Sequence, residues 1–345
     1  MHKPQDVQFV IRGVSTSDLE MLYSLSVNDN LLNLPPDKDI LREKIKASIA
    51  SFSPGATVAD PEYIFVLEDL ESGEVIGTST IFVNYASKAH PLYYFTVYDE
   101  YNSVEGISVK KDHQLLRLGW ETFGISAFGG LIIDPRYRGL PEKRGKQISL
   151  IRMLFLGMFP ELFHTMIISE LMAPLNPDGN NPFWSAVGKK YTGYEYETAF
   201  HYARQKDRRF IQDYFPKEDI ILYPHQKNLH RSIYSVLDTG RPQQHILTVQ
   251  GFRYNFRIDP MDGGLQYTAK IQEIDIIKRG GFYVCDSLCT GKLPELSVLI
   301  GSLKAGHFYG GRFPADIHGS KVFLSKYILS VLGLNLGDRV YVSPF

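Results

Sequence analysis

The most informative part of the chain reads Leu131-Ile132-Ile133-Asp134-Pro135-Arg136-Tyr137-Arg138-Gly139-Leu140-Pro141-Glu142-Lys143-Arg144-Gly145-Lys146. Its apolar start completes a buried strand predicted over residues 126–133, and its basic end leads into a long apolar helix predicted over residues 149–163. The first turn of a helix has unpaired backbone N–H groups and the positive end of the helix dipole, and both suit a pyrophosphate. Arg138, Arg144 and Lys146 can add charge-assisted hydrogen bonds to phosphate oxygens. A solvated basic loop that only joins strand to helix is the alternative.

The elements around this segment narrow the fold class. A strand at residues 8–12 is followed by two helices, and the second is predicted over residues 38–52 because apolar residues recur there every three to four positions. Further strands are predicted at residues 62–68, 75–82, 93–98 and 165–170. Few folds share this order. It predicts an α/β (α+β) fold, with a mixed, mostly antiparallel sheet and helices on both sides.

The length of 345 residues suggests about two domains. A charged segment at residues 204–219, which contains Pro216, is the candidate junction between them. We therefore predict a first domain over residues 1–205 and a second domain over residues 206–345, which ends in a β-rich tail. Helices are predicted in the second domain at residues 229–237, 242–250 and 322–332.

The composition excludes several classes of protein. The 37 Lys and Arg residues balance 38 Asp and Glu residues, so neither nucleic acid nor an anionic membrane is an expected partner. No uncharged stretch of about 18 apolar residues occurs, so no membrane span is expected. Cys285 and Cys289 are predicted to be free thiols in a reducing cytosol, which indicates a cytoplasmic protein. Because no Cys and His pairs stand at zinc-binding spacing, no metal is expected.

Short motifs occur in a characteristic order along almost the whole chain. They are Phe9-Val10-Ile11-Arg12, Asn33-Leu34-Pro35, Ile64-Phe65-Val66-Leu67-Glu68-Asp69, Leu131-Ile132-Ile133-Asp134-Pro135 with Tyr137-Arg138, Pro182-Phe183-Trp184 with Gly188-Lys189-Lys190, Gly251-Phe252-Arg253-Tyr254, Ile258-Asp259 with Asp262-Gly263-Gly264, and Gly337-Asp338-Arg339-Val340. No single motif is diagnostic, but their shared order is specific. In this order the chain resembles the arginine (or arginine/ornithine) N-succinyltransferases, a family within the Gcn5-related N-acyltransferase fold.

The resemblance implies an enzyme that moves the succinyl group of succinyl-coenzyme A (succinyl-CoA) to the α-amine of arginine, the first step of an arginine-degrading route. The first domain, residues 1–205, is then expected to bind the coenzyme, and the second, residues 206–345, to contribute the acceptor site. Residues 131–133 are expected to meet the pantetheine arm through backbone hydrogen bonds, and residues 138–146 to hold the pyrophosphate. Leu131 matches a position that the family uses for succinyl-CoA. The coenzyme-binding residues implied in this way are Leu131, Ile132, Ile133, Arg138, Arg144, Gly145 and Lys146.

Two features depart from the family pattern. The family's loop carries Gly-x-Gly, of which only Gly145 remains here, and the loop of this chain is longer. The family's catalytic histidine, counted back without gaps from Gly251-Phe252-Arg253-Tyr254, falls on Leu237, which can neither take nor give a proton. An α-amine must lose a proton before it attacks a thioester, so another base or a water chain is required.

Three carboxylates are candidates for the acceptor site. Glu170 ends the strand after the central helix and is the candidate replacement base, with an ordinary surface carboxylate as the alternative. Asp259 and Asp262 match a family motif and can pair with a cationic acceptor such as a guanidinium. A β-hairpin turn is the alternative for this pair, because Asp-Gly is a common turn signal.

Three functions are therefore open. The first is succinyl transfer from succinyl-CoA to arginine. The second is a coenzyme-binding subunit that is inactive alone or depends on a partner, because Leu237 replaces the family histidine. The third is an acyltransferase with a different acyl donor or amine acceptor. A homo-oligomer and a hetero-oligomer with a related subunit are both open.

Overall fold

The structure, a computed structural model, describes residues 7–29, 33–104, 107–139, 141–204, 208–223, 226–287 and 296–345. By their contacts these residues form two compact units. Unit 1 takes its residues from 1–83, 126–165 and 270–345, and unit 2 from 84–125 and 166–269. Residues on both sides of position 205 lie in unit 2, so this division differs from the one at residue 205, which stays a prediction.

Both helices and strands occur along the described ranges. The sixteen strands there are β1 (Phe9–Gly13), β2 (Glu62–Asp69), β3 (Val75–Phe82), β4 (Leu92–Val104), β5 (Ile107–Glu121), β6 (Ile125–Ile133), β7 (Met166–Leu171), β8 (Ile220–Leu222), β9 (Arg253–Ile258), β10 (Leu265–Lys270), β11 (Gly281–Ser287), β12 (Ser297–Lys304), β13 (His307–Pro314), β14 (Asp316–His318), β15 (Lys321–Leu324) and β16 (Arg339–Pro344). The ten α-helices there are α1 (Leu19–Asp29), α2 (Lys38–Phe52), α3 (Arg144–Met158), α4 (Lys189–Thr192), α5 (Tyr196–Arg204), α6 (Arg209–Tyr214), α7 (Lys227–Ile233), α8 (Arg241–Val249), α9 (Asp275–Lys278) and α10 (Lys326–Val331). The predicted α/β class is confirmed.

Unit 1 contains a sheet in the order β14-β15-β11-β16-β12-β13-β1-β2-β3-β6. Neighbours from β1 to β6 pair antiparallel, whereas β11 and β15 pair in parallel. Successive side chains of a strand point to opposite faces. Ile64 and Val66 of β2 accordingly pack in an apolar cluster with α1 and α2. Phe65 between them meets Phe155 of α3, with ring centroids 5.4 Å apart, so helices cover both faces.

A β-bulge interrupts β6 at Gly129 and Gly130. Thr78 of β3 pairs with Ile132, and Thr80 pairs with Gly129. The two pairs are two residues apart on β3 but three residues apart on β6, so β6 has one extra residue. Gly130 adopts φ +56°, and its N–H donates to Oδ1 of Asn33 at 3.1 Å. An extra residue of this kind bends a strand and breaks its ladder locally. The backbone beside the bulge is thereby released from regular pairing with β3.

Alanine at position 130 is expected to destabilise unit 1. A Cβ there would lie 2.8 Å from Oγ1 of Thr80, and the left-handed backbone adds about 1–2 kcal/mol for any non-glycine residue. Gly139→Ala is the matched control, because Gly139 has φ +71° but a Cβ there meets nothing within 4 Å. Thermal unfolding should show a lower Tm for Gly130→Ala than for Gly139→Ala. Equal Tm values would contradict close packing at the bulge.

Unit 2 contains a sheet in the order β7-β10-β9-β4-β5-β8. β4 and β5 form a long antiparallel hairpin that extends well beyond the strand predicted at residues 93–98. β9 and β10 form a second hairpin, and its turn is closed by hydrogen bonds of 2.8 Å from the Asp259 N–H to the Gly264 carbonyl and from the Gly263 N–H to the Asp259 carbonyl. The predicted turn is therefore present, and it carries two buried carboxylates.

Three predicted helices differ from those in the structure. α7 ends at Ile233, before the predicted end at residue 237. α3 begins at Arg144, well before the predicted start at residue 149. Its first turn contains basic residues, whose charge is unfavourable at the positive end of the helix dipole. The helix predicted over residues 322–332 was wrong in its first part. Residues Lys321–Leu324 form β15, which pairs with β11, and α10 begins at Lys326 after Ser325, whose Oγ accepts from the Ile328 N–H. Apolar spacing alone does not separate a short buried strand from a helix.

Cys285 lies buried on β11, and burial raises the pKa of its thiol to about 11. Cys289 lies outside the described residues. None of the helices in the described ranges combines the length and the apolar character needed to cross a membrane.

Candidate active site

The predicted pantetheine-binding residues form the end of β6 in unit 1. Ile132 and Ile133 are buried and pair with Thr78 and Gly77 of β3, so they remain in the ladder. The Ile133 carbonyl also accepts from Nε of Arg138 at 2.7 Å. Leu131 is half-buried and lies where the register between β3 and β6 shifts. Of the three residues, Leu131 is therefore the best placed to offer its backbone to a ligand.

The predicted phosphate-binding turn ends at the start of α3. Lys143, just before the helix, is left-handed with φ +53°, and no side-chain cap or acidic residue occupies the first turn. The backbone N–H groups of Arg144, Gly145 and Lys146 belong to that turn and have no partner within the helix. A Cβ on Gly145 would come no closer than 3.8 Å to Cγ1 of Ile133, so the described residues leave the space beside Gly145 open. An anion can approach the helix there.

The side chain of Arg144 does not extend into solvent. It is 7% exposed, and its guanidinium lies 4.2 Å from the ring centroid of Phe9 and 5.2 Å from that of Tyr137. Its Nη2 lies 3.4 Å from a carboxylate oxygen of Glu142, while its buried Nε and Nη1 make no hydrogen bond within the described residues. Arg144 therefore stays a candidate phosphate ligand. Two aromatic rings hold its guanidinium, and its Nε and Nη1 can donate to a phosphate.

Lys146 is half-buried and lies among other cations. Its Nζ lies 4.2 Å from the ring centroid of Phe345. Burial lowers the pKa of Lys146, and the charges of Lys143, Arg312 and Arg279 lower it further. Several cations that repel one another form a local field that attracts a polyanion. A pyrophosphate bound here relieves that repulsion.

Unit 2 holds a cluster of charged groups around the turn between β9 and β10. Asp259 is 5% exposed, and both of its carboxylate oxygens accept from Nη2 of Arg208, at 2.7 and 2.9 Å. Asp262 is 7% exposed and accepts from the N–H groups of Gly264 at 2.7 Å and Ala173 at 3.1 Å. Burial and the nearby charge of Asp259 raise the pKa of Asp262 to about 8. The structure therefore brings both predicted acceptor residues together, but Arg208 already neutralises one of them.

Glu170 lies at the end of β7, in the same unit, and is half-buried. Its Oε2 accepts from the Tyr85 hydroxyl at 2.6 Å, and its Oε1 accepts from Nε2 of Gln266 at 2.8 Å. Burial and the charge of Asp259 raise the pKa of Glu170 to about 7, against the opposing effects of Arg208 and the two hydrogen bonds. A carboxyl group with a pKa near 7 is suited to accept and release protons at neutral pH.

The cluster is suited to proton transfer and to binding an organic cation. Within the described ranges, no three side chains of His, Cys, Asp or Glu are placed to hold a metal. Tyr196 adds a buried hydroxyl that makes no hydrogen bond there, and burial, together with the charges of Asp262 and Asp259, raises its pKa. Such a hydroxyl can hydrogen-bond a polar ligand or a water.

Comparison with known proteins identifies the family. The profile of the family described as "Arginine N-succinyltransferase beta subunit" matches residues 9–276, which is more than half of the chain. The chain belongs to the arginine N-succinyltransferase family. The family predicted from the order of motifs is thus confirmed, and with it the prediction of an acyltransferase.

Relatives match this family member over nearly their whole length. The arginine N-succinyltransferase of Photorhabdus laumondii is 29% identical over 334 residues, 96% of each chain. That of Salmonella schwarzengrund is 26% identical over 335 residues, again 96% of each chain. The solved structure of arginine/ornithine succinyltransferase subunit AI from Pseudomonas aeruginosa superposes with a TM-score of 0.82, at 24% identity and with 98% of both chains covered. This likeness confirms the predicted acyltransferase-type fold.

Leu237, which is predicted to occupy the family's histidine position, borders the carboxylate cluster. Its N–H donates to the Met172 carbonyl at 2.9 Å. Ala173, which follows Met172, donates its N–H to Asp262. Leu237, Asp262 and Glu170 therefore lie around one end of β7. The side chain of Leu237 is apolar, whereas Glu170, two residues before Met172, is a carboxyl group of raised pKa.

Sequence reasoning missed four members of the cluster, namely Arg208, Tyr85, Gln266 and Tyr196. Arg208 lies 51 positions before Asp259, inside the charged segment interpreted as a domain junction. Tyr85 lies 85 positions before Glu170. No local pattern links residues so far apart. The only available signal was that a buried carboxylate needs a partner, which says nothing about which residue supplies it.

Proposed function

We propose that this chain transfers the succinyl group of succinyl-CoA to the α-amine of arginine. The observation that supports this most strongly is Glu170, a half-buried carboxyl group whose pKa is raised to about 7 and whose oxygens are held by Tyr85 and Gln266. The α-ammonium of an amino acid must lose a proton near neutral pH before it can react. Glu170 is the group of unit 2 best suited to take that proton.

In the proposed reaction the Glu170 carboxylate removes one proton from the α-ammonium. The amine nitrogen then attacks the thioester carbonyl carbon and forms the C–N bond. The C–S bond breaks, and the sulfur leaves as the coenzyme A thiolate. The second proton lost by the nitrogen goes to that thiolate, and Glu170 returns its own proton to solvent. The products are N-succinylarginine and free coenzyme A.

The acceptor is proposed to bind through Asp262. Asp259 already has Arg208 as its ion-pair partner, whereas Asp262 accepts only from backbone N–H groups of the described residues. A guanidinium or ammonium group beside Asp262 supplies the missing positive charge and favours the ionised carboxylate. The unpartnered hydroxyl of Tyr196 offers a further hydrogen bond. A cationic amino acid satisfies both groups, which a neutral amine does not.

The coenzyme is proposed to bind in unit 1. Leu131 beside the bulge meets the pantetheine arm, and the first turn of α3, with Gly145 and the crowded Lys146, receives the pyrophosphate. Arg138 and Arg144 are proposed to contribute further charge to the phosphates. Cytoplasm stays the proposed compartment, because a free buried thiol such as Cys285 is typical of a reducing environment.

A thiol-release assay tests this function. Purified chain is mixed with succinyl-CoA, acetyl-CoA or butyryl-CoA, each against arginine, ornithine and lysine, and free coenzyme A is measured. Fastest release with succinyl-CoA and arginine is expected. Release with another donor or amine only would instead establish an acyltransferase of different specificity. Coenzyme binding without release in any combination would contradict the proposal.

A partner-dependent subunit is a second candidate function, and Leu237 at the family's histidine position favours it. The relative from P. aeruginosa is itself described as a subunit. If the chain depends on a partner, thiol release is absent with the chain alone and appears when a related succinyltransferase chain is added. Release by the chain alone would exclude this candidate.

A further inference from the structure

Arg152 of α3 is a charged side chain enclosed in unit 1. It is 1% exposed. Its Nε donates to the Ser149 carbonyl at 3.3 Å, and its Nη2 donates to the Ser149 hydroxyl at 3.1 Å. Its guanidinium carbon lies 4.5 Å from the ring centroid of Phe128 on β6. Two of the five N–H donors of the guanidinium are used in this way, both on a single neutral residue.

No carboxylate of the described residues compensates this charge. Arg12, a partly buried arginine of the same unit, pairs with Asp18 at 2.7 Å. Buried Arg144 lies 3.4 Å from Glu142. Arg152 has no such partner, and burial alone lowers its pKa to about 9. A buried cation without a counter-ion costs several kcal/mol, and folded proteins rarely retain one without a use.

Arg152 lies near the part of β6 where the acyl group of the bound thioester is expected. Phe128, which it contacts, immediately precedes the bulge at Gly129 and Gly130. In the proposed function the pyrophosphate lies after the end of β6 and the pantetheine arm runs back along this strand past Leu131. The thioester and its acyl group then lie towards the start of the strand. Phe128 is three residues before Leu131, about 10 Å along a strand. The cysteamine arm and a four-carbon acyl group together can cover that distance.

We propose that Arg152 is the residue that selects the succinyl group, by pairing its guanidinium with the free carboxylate of that group. This inference rests on the proposed function. The ligand class is an acyl thioester with a terminal carboxylate. Such a carboxylate supplies the missing counter-ion and can accept two N–H donors from one guanidinium. Ser149 holds Nε and Nη2 in place, so Arg152 is a specificity residue for the donor, and it takes no part in proton transfer.

Butyryl-CoA is the matched probe, because it has the length of succinyl-CoA but ends in a methyl group. Equilibrium binding of both thioesters is measured by calorimetry for the wild type, Arg152→Met, Arg152→Lys and, as a control, Arg42→Met, which alters an exposed arginine of α2. The wild type and the control should prefer succinyl-CoA. Arg152→Met should lose that preference by roughly 10- to 100-fold while its affinity for butyryl-CoA stays the same. Arg152→Lys should keep part of the preference.

Thermal unfolding without ligand separates this role from a merely structural one. Removal of an uncompensated buried charge should leave the Tm of Arg152→Met equal to or above that of the wild type. A wild type that binds both thioesters equally, or an Arg152→Met variant that keeps the wild-type ratio, would overturn the inference. Because binding is measured without an amine, absence of arginine turnover counts against the proposed function only, and the binding ratio still decides the role of Arg152.

Discussion

Replacing Glu170 with glutamine is expected to lower kcat by about 100- to 10,000-fold, the usual contribution of a general base. Glutamine keeps the shape of the side chain and can still meet Tyr85 and Gln266, but it cannot take the proton of the α-ammonium. Binding of succinyl-CoA to unit 1 should be unchanged. Steady-state thiol release with succinyl-CoA and arginine measures the effect.

The pH profile makes this result specific. A base works only when ionised, so kcat of the wild type should rise as the pH passes through about 7, the raised pKa of Glu170. Glu170→Gln should lack this rise. Tyr85→Phe removes a hydrogen bond that lowers the pKa of Glu170, so the rise should move to higher pH. Glu197→Gln, on the exposed surface of α5, is the control and should behave as the wild type. Full activity and an unchanged profile in Glu170→Gln would exclude Glu170 as the base.

Arg208→Leu is expected to lower the free energy of unfolding by about 3–5 kcal/mol, because it strands a buried carboxylate. The side chains of Arg208 and Asp259 are 15% and 7% exposed, and no other ion pair to Asp259 is present among the described residues. Thermal and denaturant unfolding measure the loss. Arg241→Leu is the matched control, since its partner Asp238 lies on the exposed surface and such pairs contribute about 0–1 kcal/mol.

A second substitution distinguishes loss of charge balance from loss of packing. Asp259→Asn removes the negative charge and keeps the oxygen that accepts from the Met261 N–H at 2.6 Å. Added to Arg208→Leu, it should recover much of the lost stability, because no uncompensated charge then remains. The opposite result is that Asp259→Asn lowers the stability of Arg208→Leu by as much as it lowers that of the wild type. That result would mean that the two residues act independently and that the ion pair does not stabilise unit 2.

Local pattern was sufficient for several elements of the fold. The helix predicted over residues 38–52 agrees with α2 at both ends, because its apolar spacing marks it within the chain itself. In the structure, the Asp37 side chain caps its start. The strand predicted at residues 75–82 agrees with β3 for the same kind of reason. β15 could not be predicted in this way, since Lys321–Leu324 is a strand only because β11 and β14 lie beside it.

The amino-acid sequence by itself determined the family, the α/β class and the candidate carboxylates Glu170, Asp259 and Asp262, because motif order and residue type are properties of the chain. The tertiary structure alone decided how those carboxylates differ. Within the described part of the chain, Arg208 pairs with Asp259, Tyr85 and Gln266 donate hydrogen bonds to Glu170, and Asp262 accepts from backbone N–H groups only. The same residues enclose Arg152 without a counter-ion. Burial and pairing depend on residues distant along the chain, and these set the charge and the proton affinity of each group.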